Sequence, residues 1–147
     1  KRRWLAERVA ADLSRARELY ATGLKLATEQ GNHEQAYYHA INIAFLDLMA
    51  SPPDSKVTSQ AQEMARLAQV HCARAPENFW RTATEAEAEL ILGDLERAVA
   101  LYSRAISMAK SPRAIDSMYS QAIRVAEHTH GKSGAQRIEE AFGVAAA

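Results

Sequence analysis

A nine-residue word occurs twice in this chain. Asp12-Leu13-Ser14-Arg15-Ala16-Arg17-Glu18-Leu19-Tyr20 and Asp94-Leu95-Glu96-Arg97-Ala98-Val99-Ala100-Leu101-Tyr102 agree at six of nine positions, and the second begins 82 residues after the first. That offset is roughly two units of about 40 residues, a period found in helical-repeat architectures. A unit is therefore expected between them, and Ala61, Met64, Ala65 and Ala68 reproduce the spacing of Ala98, Leu101, Tyr102 and Ala105. The helices carrying these words are expected to start near Asp12, Ser55 and Asp94. The helices preceding them repeat as well, because Tyr37-Tyr38, Asn42 and Ala44 stand 42 residues before Phe79-Trp80, Thr84 and Ala86. A hairpin of this length cannot bury its apolar face alone, so the units must stack on one another.

The clearest copy is Phe79 to Ile106: one helix, a tight turn at Leu92-Gly93-Asp94, and a second helix folding back. Ala86, Ala98 and Ala105 sit where the two helices have to touch. Composition agrees, since 48% hydrophobic residues with only 7% aromatics favours close-packed helices over a β-sandwich. The pattern predicts a short helix from Arg2 to about Ala10, a second from Asp12 to about Thr28, and an end at Gly31-Asn32. Ser51-Pro52-Pro53-Asp54 replaces the tight turn in the middle unit, because two prolines cannot continue a helix. Pro76 and Pro112 occupy expected first helical positions, where the missing N–H costs nothing. A helix through Ile115, Met118, Ala122 and Val125 runs to about Thr129, and Gly131 stops it. Ser133 with Gln136 resembles a capping box for a short last helix. The expectation is one all-α domain over residues 1–144, of about seven to eight helices. The chain begins without Met, inside a helical pattern, as a fragment of a longer protein would, and Ala145 to Ala147 reads as a vector-derived tail.

Charge and cysteine usage narrow the partners. Lys and Arg total 18 and Asp and Glu total 18, scattered without a basic stripe, which argues against nucleic acid and against an anionic membrane surface. The single cysteine, Cys72, cannot form an internal disulfide, so a reducing cytoplasm is the simplest setting. No apolar run approaches the roughly 20 residues of a membrane span.

Two stretches, Tyr37 to Met49 (YYHAINIAFLDLM) and Phe79 to Asp94 (FWRTATEAEAELILGD), resemble a branch of the tetratricopeptide superfamily. The branch is the sensor-type repeat domain, also called the TRAF-binding domain, found in bacterial conflict-system proteins and in the central regulatory region of apoptosis signal-regulating kinases. Tyr38, Ile41, Asn42, Ala44, Trp80, Ala83, Thr84, Ala86, Glu87, Ala88, Gly93 and Asp94 stand in the matching places. The departures are the proline-bearing loop and Glu85 and Glu89, where the family has apolar or small residues. The resemblance implies a right-handed superhelix of antiparallel helix-turn-helix repeats. It further implies a non-catalytic sensor that takes a nucleotide-derived ligand on its concave face and regulates an effector domain in the same or a neighbouring protein. The alternative is a scaffold that holds a peptide or partner helix.

The concave surface of such a stack is lined by the first helix of each unit. Trp80, Thr84 and Glu87 are spaced i, i+4, i+7 and share a face, and Tyr38 and Asn42 repeat Trp80 and Thr84 one unit earlier. Rings, an amide, a hydroxyl and a carboxylate together suit a flat base or ribose. Gln121 and Arg124 extend the surface, Arg124 offering charge for a phosphate. Each residue also has a plainer reading: Tyr38 and Trp80 as fillers of the groove between units, Asn42 as a partner of a neighbouring helix, Glu87 and Arg124 as solvated charges. Other signals carry less. Gly131-Lys132-Ser133 lacks the first glycine of a phosphate loop, having Ala126 there, and follows a helix. His128 and His130 point to different sides of a helix. His71-Cys72 has no third orienting group, and nothing aims Asp47 with Asp54, or Glu85 with Glu89, at a substrate. No cofactor or metal is expected.

Overall fold

The computed structural model describes residues 2–52 and 57–143, with side chains from residue 7 onward. Six helices account for its secondary structure: α1 (Arg2–Glu29), α2 (His33–Met49), α3 (Ser59–Ala73), α4 (Phe79–Leu92), α5 (Leu95–Met108) and α6 (Pro112–Ala141). Five of them begin at a side-chain cap. The side-chain oxygens of Asn32, Thr58, Asn78, Asp94 and Ser111 accept from the backbone N–H three residues on, at 2.9 to 3.2 Å. Each cap satisfies one of the donors a helix start leaves unpaired, worth about 1 kcal/mol. Gly93 ends α4 at φ 99°, a left-handed conformation that lets the chain reverse within two residues. Pro112 opens α6 as expected.

Three boundaries differ from the sequence reading, and a fourth agrees in part. α1 is a single helix, because Ala10 and Ala11 favour helix and nothing near Asp12 breaks it. Pro76 lies in the α3–α4 connection, and α4 starts at Phe79, where Asn78 supplies the cap that Pro76 lacks. α3 starts at Ser59 behind Thr58, whereas Ser55 lies outside the described residues, with Pro53 and Asp54. Gly131 does interrupt α6, at φ 68° and ψ −159°. The Ser133 hydroxyl, however, donates to the His130 carbonyl at 3.5 Å instead of capping a new helix. Six helices are thus described, the last of them two helical segments joined across a kink at Gly131, where seven to eight helices were expected. Residues 145–147 also lie outside the described residues.

Packing follows chain order. α1 lies on α2, α2 on α3, α3 on α4, α4 on α5 and α5 on α6. In addition α2, α4 and α6 touch one another, so alternate helices form one layer. Alanine makes this possible: Ala40, Ala44, Ala61, Ala65, Ala68, Ala86, Ala88, Ala98, Ala105, Ala122 and Ala126 are fully buried. Bulk is supplied at intervals by Leu48, Leu90, Ile91, Tyr102, Val125 and Ile138, giving one continuous core cluster from Tyr37 to Ile138. Past Gly131, Ile138 is fully buried in this cluster and Arg137 pairs with Glu96 of α5 at 2.8 Å. No described helix is long and apolar enough to cross a membrane.

Ala98→Leu forces extra methylenes into the α4–α5 contact and is expected to lower stability by about 1–3 kcal/mol. Ala100→Leu, on the exposed side of the same helix, is expected to leave it unchanged. Urea midpoints at constant m-value make the comparison.

Candidate functional site

Where α2, α4 and α6 meet, with α5 behind, the surface opens into a cavity of about 240 Å³. Tyr38, Ile41 and Asn42 line it from α2; Trp80, Ala83, Thr84 and Glu87 from α4; Tyr102 from α5; and Ser117, Met118 and Gln121 from α6. Six residues that the sequence singled out, Tyr38, Asn42, Trp80, Thr84, Glu87 and Gln121, therefore meet in one place. Arg124 does not. It is exposed, with its guanidinium 5.8 Å from the centre of the Phe45 ring, off the cavity wall.

Each aromatic pair divides its work. Tyr37 and Phe79 are buried at 4% and 8% exposure, while Tyr38 and Trp80 remain 48% and 59% exposed. The exposed rings are held by edge contacts, Trp80 against Phe79 at 4.8 Å and Tyr38 against Tyr20 and His39 at 6.1 and 5.2 Å. They do not fill the interior; they stand at the cavity mouth on rigid supports. Trp80 and Tyr38, with Thr84, also wall a neighbouring recess of about 310 Å³ completed by Glu34, Gln35 and Tyr37.

Asn42 has its partner within its own helix: its amide N–H donates to the Tyr38 carbonyl at 2.8 Å. That bond fixes the side chain and leaves the amide oxygen as an acceptor. Glu87 is the outlier among three glutamates two residues apart. Glu85 accepts from Arg81 at 2.8 Å, and Glu89 from Gln69 at 2.7 Å and Arg97 at 3.2 Å. These pairings neutralise both acids. Glu87, on the opposite side of α4, is only 6% exposed, and no described Lys or Arg faces it across the cavity. Burial pushes its carboxyl up to about 8, and the hydrogen bond from Gln121 offsets this only in part. At neutral pH the acid is largely protonated. Beneath it Tyr102 is 1% exposed, and its phenol is pushed well up by burial and by the Glu87 charge.

Tyr102 is the main residue that the sequence reading missed, along with Ile41, Ala83, Ser117 and Met118. As the end of the repeated word it read as scaffold. The available signal was a hydroxyl between Ala98 and Ala105 on a face otherwise built for close packing.

The other candidate chemistries are occupied elsewhere. Asp47 pairs with Arg17 at 2.7 Å. Cys72 is buried, its thiol pushed up to about 12 by burial and donating to the Arg81 carbonyl at 3.8 Å, the opposite of an activated nucleophile. His71 faces His33, Nδ1 to Nδ1, at 3.0 Å, and the His130 Nε2 lies 3.1 Å from the Leu90 carbonyl. Among the described residues no group of three or more His, Cys, Asp or Glu is arranged to hold a metal. Comparison with known proteins finds no matching family model, no matching curated protein and no matching solved structure.

The Glu87 carboxyl has a pH signature. Its folded value lies above the ordinary 4.5, so the folded state holds a proton that the unfolded chain gives up. Its contribution is complete below about pH 4.5 and is lost as pH rises through about 8. Glu87→Gln keeps the hydrogen bonding and cannot ionise. It is expected to match the wild type at pH 5 and to be more stable at pH 9 by a few kcal/mol, because each tenfold difference in proton affinity between the folded and unfolded chain is worth about 1.4 kcal/mol. Thermal melts of both proteins across that range test this, and a constant difference at every pH would contradict the burial of the acid.

Proposed function

We propose that this chain is a non-catalytic sensor module of the tetratricopeptide type. In this reading its stacked hairpins form a right-handed superhelix, and α2, α4 and α6 line the concave face. The cavity on that face takes a small nucleotide-derived ligand, and binding acts on an effector domain in the same or a neighbouring protein. The observation that carries the reading is the meeting of Tyr38, Asn42, Trp80, Thr84, Glu87 and Gln121, from three separate helices, around one cavity. Exposed rings on rigid supports with neutral polar groups between them suit the face and edges of a flat heterocycle.

Regulation follows if the ligand prefers one of two arrangements of the helix layer, since a ligand shifts an equilibrium only by its differential affinity. Binding without turnover is favoured because Asp47, Glu85 and Glu89 are neutralised by cations and the Cys72 thiol is unactivated. A cytoplasmic setting accords with that reduced, buried thiol.

A second reading, a scaffold for a peptide or partner helix, has one observation of its own. A larger groove of about 610 Å³ runs between α1 and α2, lined by Val9, Leu13, Leu46 and Met49 around the Arg17–Asp47 pair. A stoichiometric protein recovered with the domain would favour it.

Calorimetry against nucleosides, nucleotides and their cyclic and ADP-ribose derivatives tests the first reading. Asn42→Ala and Thr84→Ala are each expected to weaken binding about tenfold, the equivalent of one polar contact, with circular dichroism unchanged. Silence across the whole panel would remove the reading.

A further inference from the structure

The cavity has a chemical polarity that distinguishes the two ends of a nucleotide. Among the described residues no Lys, Arg or His lines it, and none lines the adjoining recess. The ionisable groups facing the shared space are Glu87 from α4, Tyr102 from α5, and Glu34, Tyr37 and Tyr38 from α2, all neutral or negative. α6 contributes Ser117, Met118 and Gln121, none of which titrates. A phosphate seated here would lose its water and meet hydroxyls, amides and a carboxyl, with no cation to offset the cost of burying its charge. Arg124, the cation nearest along the chain to the α6 lining residues, is turned over Phe45.

Glu87 sets a requirement of its own. It is more than nine-tenths buried and lies on the cavity wall. As an acid it presents one O–H donor beside one acceptor; as a carboxylate it presents acceptors alone. In both forms it offers an acceptor to an N–H donor on the occupant, and as a carboxylate it also repels an anion. The acid form is complementary to an edge with an amino group beside a ring nitrogen, the edge that adenine and cytosine carry, and side-chain amides read adenine in the same two-point way. The size agrees: the cavity between the three helices, about 240 Å³, holds a ring system, and the recess of about 310 Å³ on the far side of Tyr38 and Trp80 leaves room for what the ring carries.

We infer that the cavity between α2, α4 and α6 receives the base of a nucleoside-type ligand, amino edge toward Glu87 and faces against Trp80 and Tyr38, and leaves any phosphate outside. This rests on the nucleotide-derived reading above and fixes which end of the ligand is recognised.

The test is a calorimetric titration of the purified chain with adenosine, cytidine, uridine, their 5′-monophosphates and inorganic pyrophosphate, at two salt concentrations. Adenosine or cytidine is expected to bind as tightly as its own monophosphate, within about threefold, which is under 1 kcal/mol. Pyrophosphate is expected not to compete, and salt to have little effect. Glu87→Gln retains the paired donor and acceptor and keeps the affinity; Glu87→Met removes both and is expected to cost about tenfold or more. Thr84→Val supplies a second loss if Glu87→Met folds poorly. A monophosphate more than about tenfold tighter than its nucleoside, or competition by pyrophosphate, overturns the orientation while leaving the concave-face reading intact. If no nucleoside or nucleotide binds, both fail. If in that case a short arginine-bearing peptide binds instead, the cavity belongs to a peptide side chain.

Discussion

The structure depends on how closely its helices approach. Every helix from α2 to α6 buries alanine completely: Ala40 and Ala44 on α2, Ala61, Ala65 and Ala68 on α3, Ala86 and Ala88 on α4, Ala98 and Ala105 on α5, Ala122 and Ala126 on α6. Close backbones leave few places for large side chains, and dense interiors do not tolerate altered volume. The same closeness brings α2, α4 and α6 into one layer, although they belong to separate hairpins. A cavity lined from all three exists only because α3 and α5 hold them from behind. Function, on this account, is a by-product of spacing: the alanine contacts set the width of the slot that Tyr38 and Trp80 border.

Glu87 is the point at which packing and chemistry meet. It stands between Ala86 and Ala88, both fully buried, on a stretch whose other acids are neutralised by arginine or amide partners. A carboxyl placed there without a cation is costly for stability, and a residue that weakens a fold while lining a cavity is a reasonable candidate for recognition. The disposition of charge around it is informative in the same way. Arginines 17, 81, 97, 104 and 137 pair with Asp47, Glu85, Glu89, Glu77 and Glu96 away from the cavity. The cavity itself holds one carboxyl, Glu87, among groups that carry no positive charge.

Much of this was legible in the sequence because a repeat displays its own register. The recurrence of the Asp12–Tyr20 word at Asp94–Tyr102 located the helices behind the layer, and the 42-residue shift from Tyr38 and Asn42 to Trp80 and Thr84 located two matching positions on its face. What was not legible depended on the third dimension. The helix break expected near Asp12 rested on analogy with Asp94, but Asp94 follows Gly93 whereas Asp12 follows two alanines that continue the helix. By charge alone Glu85, Glu87 and Glu89 have equal standing, and the resemblance and the helical spacing singled out Glu87; that Glu85 and Glu89 are paired and Glu87 is buried is visible only in the structure. Tyr102 was hidden because its word recurs at Tyr20. There, on α1, the ring packs beside Tyr38 and His39 of α2, while on α5 it forms the cavity floor. Arg124 looked continuous with the site on a helical wheel, yet Phe45 draws it aside.

The most direct test of the cavity as the binding site uses Trp80 itself, since the chain has two tryptophans and Trp4→Phe leaves one. In that background, titration with a ligand shown by calorimetry to bind should quench or shift the Trp80 emission with the same midpoint, as expected for a ring that stacks on the occupant. Binding seen by calorimetry with Trp80 emission unmoved would place the ligand elsewhere on the molecule and contradict the account.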